Sequence, residues 1–302
     1  MTRLTQLSRP FPAVASSAVG RAAATPQSAP QSYENEMQRP ADFFVNEDRS
    51  DHQGYTIKRR FRKTLLEYGV ETGVRNHWID VQYVTVEKTG KRLKIFDANL
   101  YLSLGGNTVD FGYFPFLDDQ SQQLFVSQDI FRGGCQWVVS LSPVVRVIFD
   151  GQELGVGREA SDLGAIDLDR DGVHEITAPI TDFYQLHDKM SMSQIPLPTI
   201  VFKYHPTKQR YLPANSSFRD YVFEGIVEVP SASKDLADQF NHRSVALNNL
   251  LIHIYAGDEG NGWKTFNRAY QLGDKSELQL RIKSILRNQR VYNFIYNSGR
   301  KK

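Results

Sequence analysis

The sequence predicts an α+β protein, with an antiparallel β-rich module followed by a small helical C-terminal part. Short aromatic and β-branched runs, broken by turn residues, extend from about Asn76 to Leu212. After about Ser216 the apolar residues change to helical spacing. Aromatic residues make up 12% of the chain, which suits strands and broad packed faces. With 302 residues and 40% hydrophobic content, the core can be large enough to need no covalent staple. The expected division is a disordered tail and linker over 1–50, a β-rich domain over 51–215, and a helical region over 216–302 packed on it.

The tail expectation rests on polar, Pro- and Ser-rich text without periodicity. Residues 1–33 hold no Asp or Glu and three arginines, Arg3, Arg9 and Arg21. That composition leaves a weak secretory signal, an organelle transit segment and a plain disordered tail open, and the tail is favoured. Lys58 to Lys63 is the densest basic cluster, expected to be a solvated face. His77 to Val86 reads as a strand, Lys88 to Lys91 as a turn, and Leu93 to Leu104 as a second strand. Val109 to Phe116, Leu124 to Val126, Trp137 to Leu141 and Val144 to Phe149 follow as strands. Asp150-Gly151 is a hairpin-type signal leading into Glu153 to Val156. Leu163 to Leu168, Glu175 to Ile180, Thr199 to Tyr204 and Arg210 to Leu212 complete the strand text.

Three helical faces close the chain: Leu247, Leu250, Leu251 and Ile254; Trp263, Phe266 and Tyr270; Leu278, Ile282, Ile285 and Leu286. Gly257 and Gly260-Asn261-Gly262 are read as the break between the first two, and Gly273 as the break before the third. An aromatic stripe at this spacing is expected to be core.

The stretch with a specific chemical meaning is Ile166 to Glu175, I-D-L-D-R-D-G-V-H-E. Asp167, Asp169 and Asp171 occupy its first, third and fifth loop positions, Gly172 the sixth, Val173 the seventh and Glu175 the ninth. Calcium takes six to eight oxygens at roughly 2.3–2.6 Å and tolerates irregular geometry. Carboxylates at alternate positions, the carbonyl of Val173 and the Glu175 side chain can supply them. Gly172 permits the sharp turn. An EF-hand is excluded, since its twelfth position would be a bidentate Glu and is here Ala178. The bland alternative is an Asp-rich turn.

Set between strands, D-x-D-x-D-G-x-x-[DE] resembles the calcium loops of FG-GAP repeats, as in integrin-type β-propellers and bacterial extracytoplasmic proteins. The resemblance covers only residues 167–175 and implies a Ca2+ site at Asp167, Asp169, Asp171, Val173 and Glu175. The ninth position, most often Asp in that family, is here the longer Glu175. The motif occurs once and no longer unit repeats, so a full propeller is not expected.

Other chemistry is sparse. A single cysteine, Cys135, excludes an internal disulfide and a Cys-based zinc site, and reads as a small buried hydrophobe. The seven histidines form no zinc-protease pair, and neither a nucleophile elbow nor a phosphate loop is present. His174 is expected to face away from the ion, and Asp162 and Asp182 to assist from its periphery. A net charge of +2 gives no steering field towards nucleic acid, and no apolar run is long enough to span a membrane. The expected function is that of a calcium-stabilised, non-enzymatic β-rich protein of extracytoplasmic type. The alternatives are a hydrolase with a structural calcium near its active site, and a protein–protein interaction module using Lys58 to Lys63.

Overall fold

The computed structural model describes residues 44–52, 54–66, 76–88, 91–97, 107–118, 120–130, 133–156 and 163–297. Expectations for residues 1–43, for the second half of the Leu93 to Leu104 run, and for Asp162 lie outside the described residues. The chain is α+β, with antiparallel strands first and helices last. It divides into two compact units, Met1–Gly112 and Tyr113–Lys302.

In the first unit β1 (Phe44–His52), β2 (Tyr55–Leu66), β3 (Asn76–Lys88) and β4 (Lys91–Asp97) pair antiparallel in chain order. The run Lys58 to Lys63, expected to be a solvated face, lies within β2, and the side chains of residues 59–63 lie outside what is described. Lys58 pairs with Glu87 at 3.0 Å beside buried Ile57 and Val86. Alternation explains both: Ile57 and Lys58 point to opposite faces of the same strand.

In the second unit β5 (Asn107–Asp118), which begins in the first, neighbours β6 (Ser121–Ile130), followed by β7 (Gly133–Ser140) and β8 (Arg146–Asp150). A second sheet is formed by β9 (Gly164–Ile166), β10 (Glu175–Pro179), β11 (Thr199–His205) and β12 (Arg210–Pro213), antiparallel throughout. Every residue of β10 is buried. Phe149 of β8 meets Phe202 of β11 edge to face, with ring centroids 5.2 Å apart, joining the two sheets in one core. Cys135 is buried in β7.

The stretch after β8 is not a strand. Residues Gly151–Leu154 form the short helix α1, because Asp150 Oδ1 accepts the Glu153 N–H at 2.9 Å and caps it. Gly151 is required by packing: a Cβ there would stand 2.9 Å from the Gln136 carbonyl oxygen. The hairpin signal of Asp-Gly thus serves as a helix start.

α2 (Arg219–Phe223) precedes α3 (Leu236–Tyr255), which is capped by Asp235, and then come α4 (Glu259–Ala269), α5 (Lys275–Asn288) and α6 (Arg290–Asn297). The apolar faces read from spacing enter the core. Leu247, Leu250, Leu251, Ile254, Phe266, Tyr270, Leu278, Ile282, Ile285 and Leu286 are all buried in one cluster with the strands. Gly260-Asn261-Gly262 is not a break; it lies in the first half of α4. A Cβ on Gly262 would come within 2.9 Å of His253 Cβ, so the glycine lets α4 approach α3. The chain reverses earlier, at Gly257, whose φ is +81°. α6, not read from the sequence, packs on α3, α1 and β12.

Candidate metal centre

The Asp-rich segment connects β9 to β10, two antiparallel strands whose last pair is Ile166 with Glu175. The strand ends therefore bring the first and last acids of the loop together. Gly172 has φ +84°, the left-handed conformation its position calls for, and Arg170 also turns left-handed at +61°. Asp167 folds the loop over itself: its two oxygens accept the N–H groups of Asp171 and Gly172, each at 3.1 Å. Asp171 Oδ1 accepts the Val173 N–H at 2.8 Å.

The far end is pinned to β5 and β12. His174 donates its N–H to the Phe116 carbonyl at 2.8 Å, and its own carbonyl accepts from the Tyr211 hydroxyl at 2.9 Å. The His174 ring meets Phe114 edge to face, with centroids 5.1 Å apart.

Asp167, Asp169 and Glu175 each bring a carboxylate oxygen within 4.8 Å of the others, a spacing that can hold a metal ion. Asp171 stands outside this triad. Glu175 is fully inaccessible, beneath half-exposed Asp169 and Lys203. Its Oε2 accepts the Leu168 N–H at 2.9 Å, while Oε1 has no hydrogen-bond partner. Burial pushes the Glu175 carboxyl above its usual range, opposed by the Leu168 N–H and reinforced by the charge of Asp169.

Sequence reading missed Lys203. Ile176 pairs with Phe202, so the next step along β11 sets Lys203 opposite Glu175. Its ammonium donates to Asp169 Oδ2, lies 2.8 Å from Asp171 Oδ2, and is 3.5 Å from Glu175 Oε1. Partial burial pulls the Lys203 pKa down, but its bonds to Asp169 and Asp171 outweigh that and hold it well above the ordinary value. The same hydrogen bond keeps the Asp171 carboxyl below the usual range. A lysine in a strand is ordinary, and only the register of β10 on β11 identifies this one.

An open cleft of about 670 Å³ adjoins the loop, lined by Leu168, Asp169, Lys203, Arg219, Tyr221 and Glu224 among others. Asp182 opens a 3-10 turn, Asp182–Leu186, where its charge bears on buried Tyr255. No described helix is long and apolar enough to cross a membrane. No protein-family model matches the chain, and no curated protein or solved structure is significantly similar to it.

Proposed function

We propose that the protein is a calcium-stabilised, non-enzymatic β-rich protein of extracytoplasmic type, whose ion ties β9 to β10 through a loop of FG-GAP kind. Asp167, Asp169 and Glu175 are its carboxylate ligands. Asp171 is the fourth acid of the site, and the Val173 carbonyl adds a neutral oxygen. The observation that carries this reading is the buried Glu175 oxygen without a hydrogen bond, facing two further carboxylates. The Lys203 ammonium stands 3.5 Å from that oxygen but is shared with Asp169 and Asp171, so one positive charge faces three acids and the cluster keeps negative charge that a divalent cation would offset.

The oxygen-only ligand set suits a hard cation, and roughly 0.1–1 mM dissociation constants fit the calcium levels outside cells. Calorimetric titration of chelator-treated protein tests the reading. Heat of binding and a calcium-dependent rise in melting temperature are expected in the natural protein, and neither in Asp169→Ala. Absence of both in the natural protein would refute it.

The cleft favours a second reading, a hydrolase with a structural calcium beside its active site. Asp169, Asp220 and Glu224 line it together with Ser216 and Tyr221. Loss of a hydrolytic activity in Glu224→Gln, with calcium binding intact, would favour it over the first.

A further inference from the structure

The Asp-rich loop already holds a cation of its own. The Lys203 ammonium bonds Asp169 and Asp171 and faces the unbonded oxygen of Glu175. Two of these acids, Asp169 and Glu175, belong to the triad that can take a metal. We propose that Lys203 is a resident competitor for the metal site, displaced into the adjoining cleft when a divalent cation binds.

Three features carry the proposal, which rests on the metal reading above. First, the oxygens are shared. A calcium ion at roughly 2.3–2.6 Å from the Asp169 and Glu175 oxygens would face the ammonium across the same atoms, and two cations at such separations repel strongly. Second, the lysine has somewhere to go. Its side chain is 30% exposed and lines the open cleft, with the Phe218 ring centroid 5.7 Å from Nζ. The Phe218 face already lies beside the ammonium and can keep contact with it as the flexible four-carbon stem turns out into the cleft. Third, β11 fixes the competitor's origin: buried Val201 and Phe202 anchor the strand just before Lys203. The ammonium is thus held near the loop whichever position it takes.

The arrangement sets the affinity of the site. Lysine stabilises the metal-free loop, and each binding event gives that stabilisation up. Removing the ammonium therefore tightens calcium binding, while the acids themselves are unchanged.

Calcium titration of chelator-treated natural protein and of Lys203→Met, followed by calorimetry, is the test. The variant is expected to bind about tenfold more tightly, the scale of one partly exposed ion-pair set. Binding by the variant alone would also support the proposal. Equal or weaker binding by Lys203→Met, with the natural protein still binding, would overturn the competition and leave the metal reading standing. No binding by either would remove both.

A second measurement needs no variant. Amine acetylation of the natural protein, mapped by peptide mass, is expected to label Lys203 several-fold faster in calcium than in chelator. Unchanged or slower labelling in calcium would overturn the displacement.

Discussion

Two polar clusters in the second unit make opposite use of charge. In the helical part, Arg243 of α3 donates to the Tyr270 hydroxyl at 3.0 Å, the Lys189 carbonyl at 2.8 Å and Asp274 Oδ2 at 3.0 Å. The Tyr270 hydroxyl in turn donates to Asp274 Oδ1 at 2.7 Å. One cation meets one anion, and every arm of the guanidinium is engaged. At the β9–β10 loop, Asp169, Asp171 and Glu175 converge on a single ammonium, Asp167 adds a further carboxylate beside them, and a buried carboxylate oxygen is left without a hydrogen bond. A network that serves only the fold closes on itself. One that retains excess negative charge has kept the capacity to take something else.

The contrast breaks most sharply at Arg243. Arg243→Met should destabilise the protein by about 2–4 kcal/mol, because it leaves a largely buried Asp274 without its cation and with only the Tyr270 hydroxyl as side-chain donor. Denaturant unfolding should give the same loss with and without calcium. A calcium-dependent loss would mean that the two clusters are coupled.

Asp169→Ala should act the other way round. Calcium at about ten times its dissociation constant should stabilise the natural protein by about 1.4 kcal/mol, and this gain should vanish in the variant. Melting curves in chelator and in calcium measure it.

Glu175 sharpens the comparison through pH. Burial raises its carboxyl above the ordinary value, so its stabilising contribution is present below the unfolded-state pKa and lost as pH rises through the folded one. The metal-free protein should therefore lose this contribution towards neutral pH, and Glu175→Gln should abolish that loss while also abolishing the calcium response. Asp171 works in the opposite sense: its lowered pKa gives stability that disappears as pH falls through the acid range. Unfolding free energies measured across pH in chelator separate the two.

The smallest effect belongs to the backbone. Arg170 holds a left-handed conformation that asparagine adopts more readily, so Arg170→Asn should stabilise the protein by less than about 1 kcal/mol. Thermal melting in chelator is the check, and a marked fall would assign the arginine side chain a role of its own.

Much of this was legible in the chain because it is local. Helical spacing identified Leu247, Leu250, Leu251 and Ile254 as core, since two turns of helix set them on one face whatever lies opposite. The alternating acids and Gly172 identified the loop for the same reason. What escaped depends on partners distant in sequence. Lys203 reaches the acids only through the register of β11 on β10. Gly262 reads as a breaker until α3 is found against it, and Asp150-Gly151 reads as a hairpin until the Gln136 carbonyl is found above the glycine. The split of the acids, with Asp171 outside the triad, follows from the Asp167 oxygens accepting the Asp171 and Gly172 amides, a fold-back that equal spacing does not reveal.

The double anchoring of His174, by its amide to Phe116 and by its carbonyl to Tyr211, divides the loop into a fixed half and an adaptable one. Cation entry can then reshape the arc from Leu168 to Gly172 without loosening the strand that follows. Amide hydrogen exchange should record this as a boundary, with slow exchange at His174 under all conditions and calcium-sensitive exchange at the amides just before it. An ion arriving from solvent would thus find half of its cage already built.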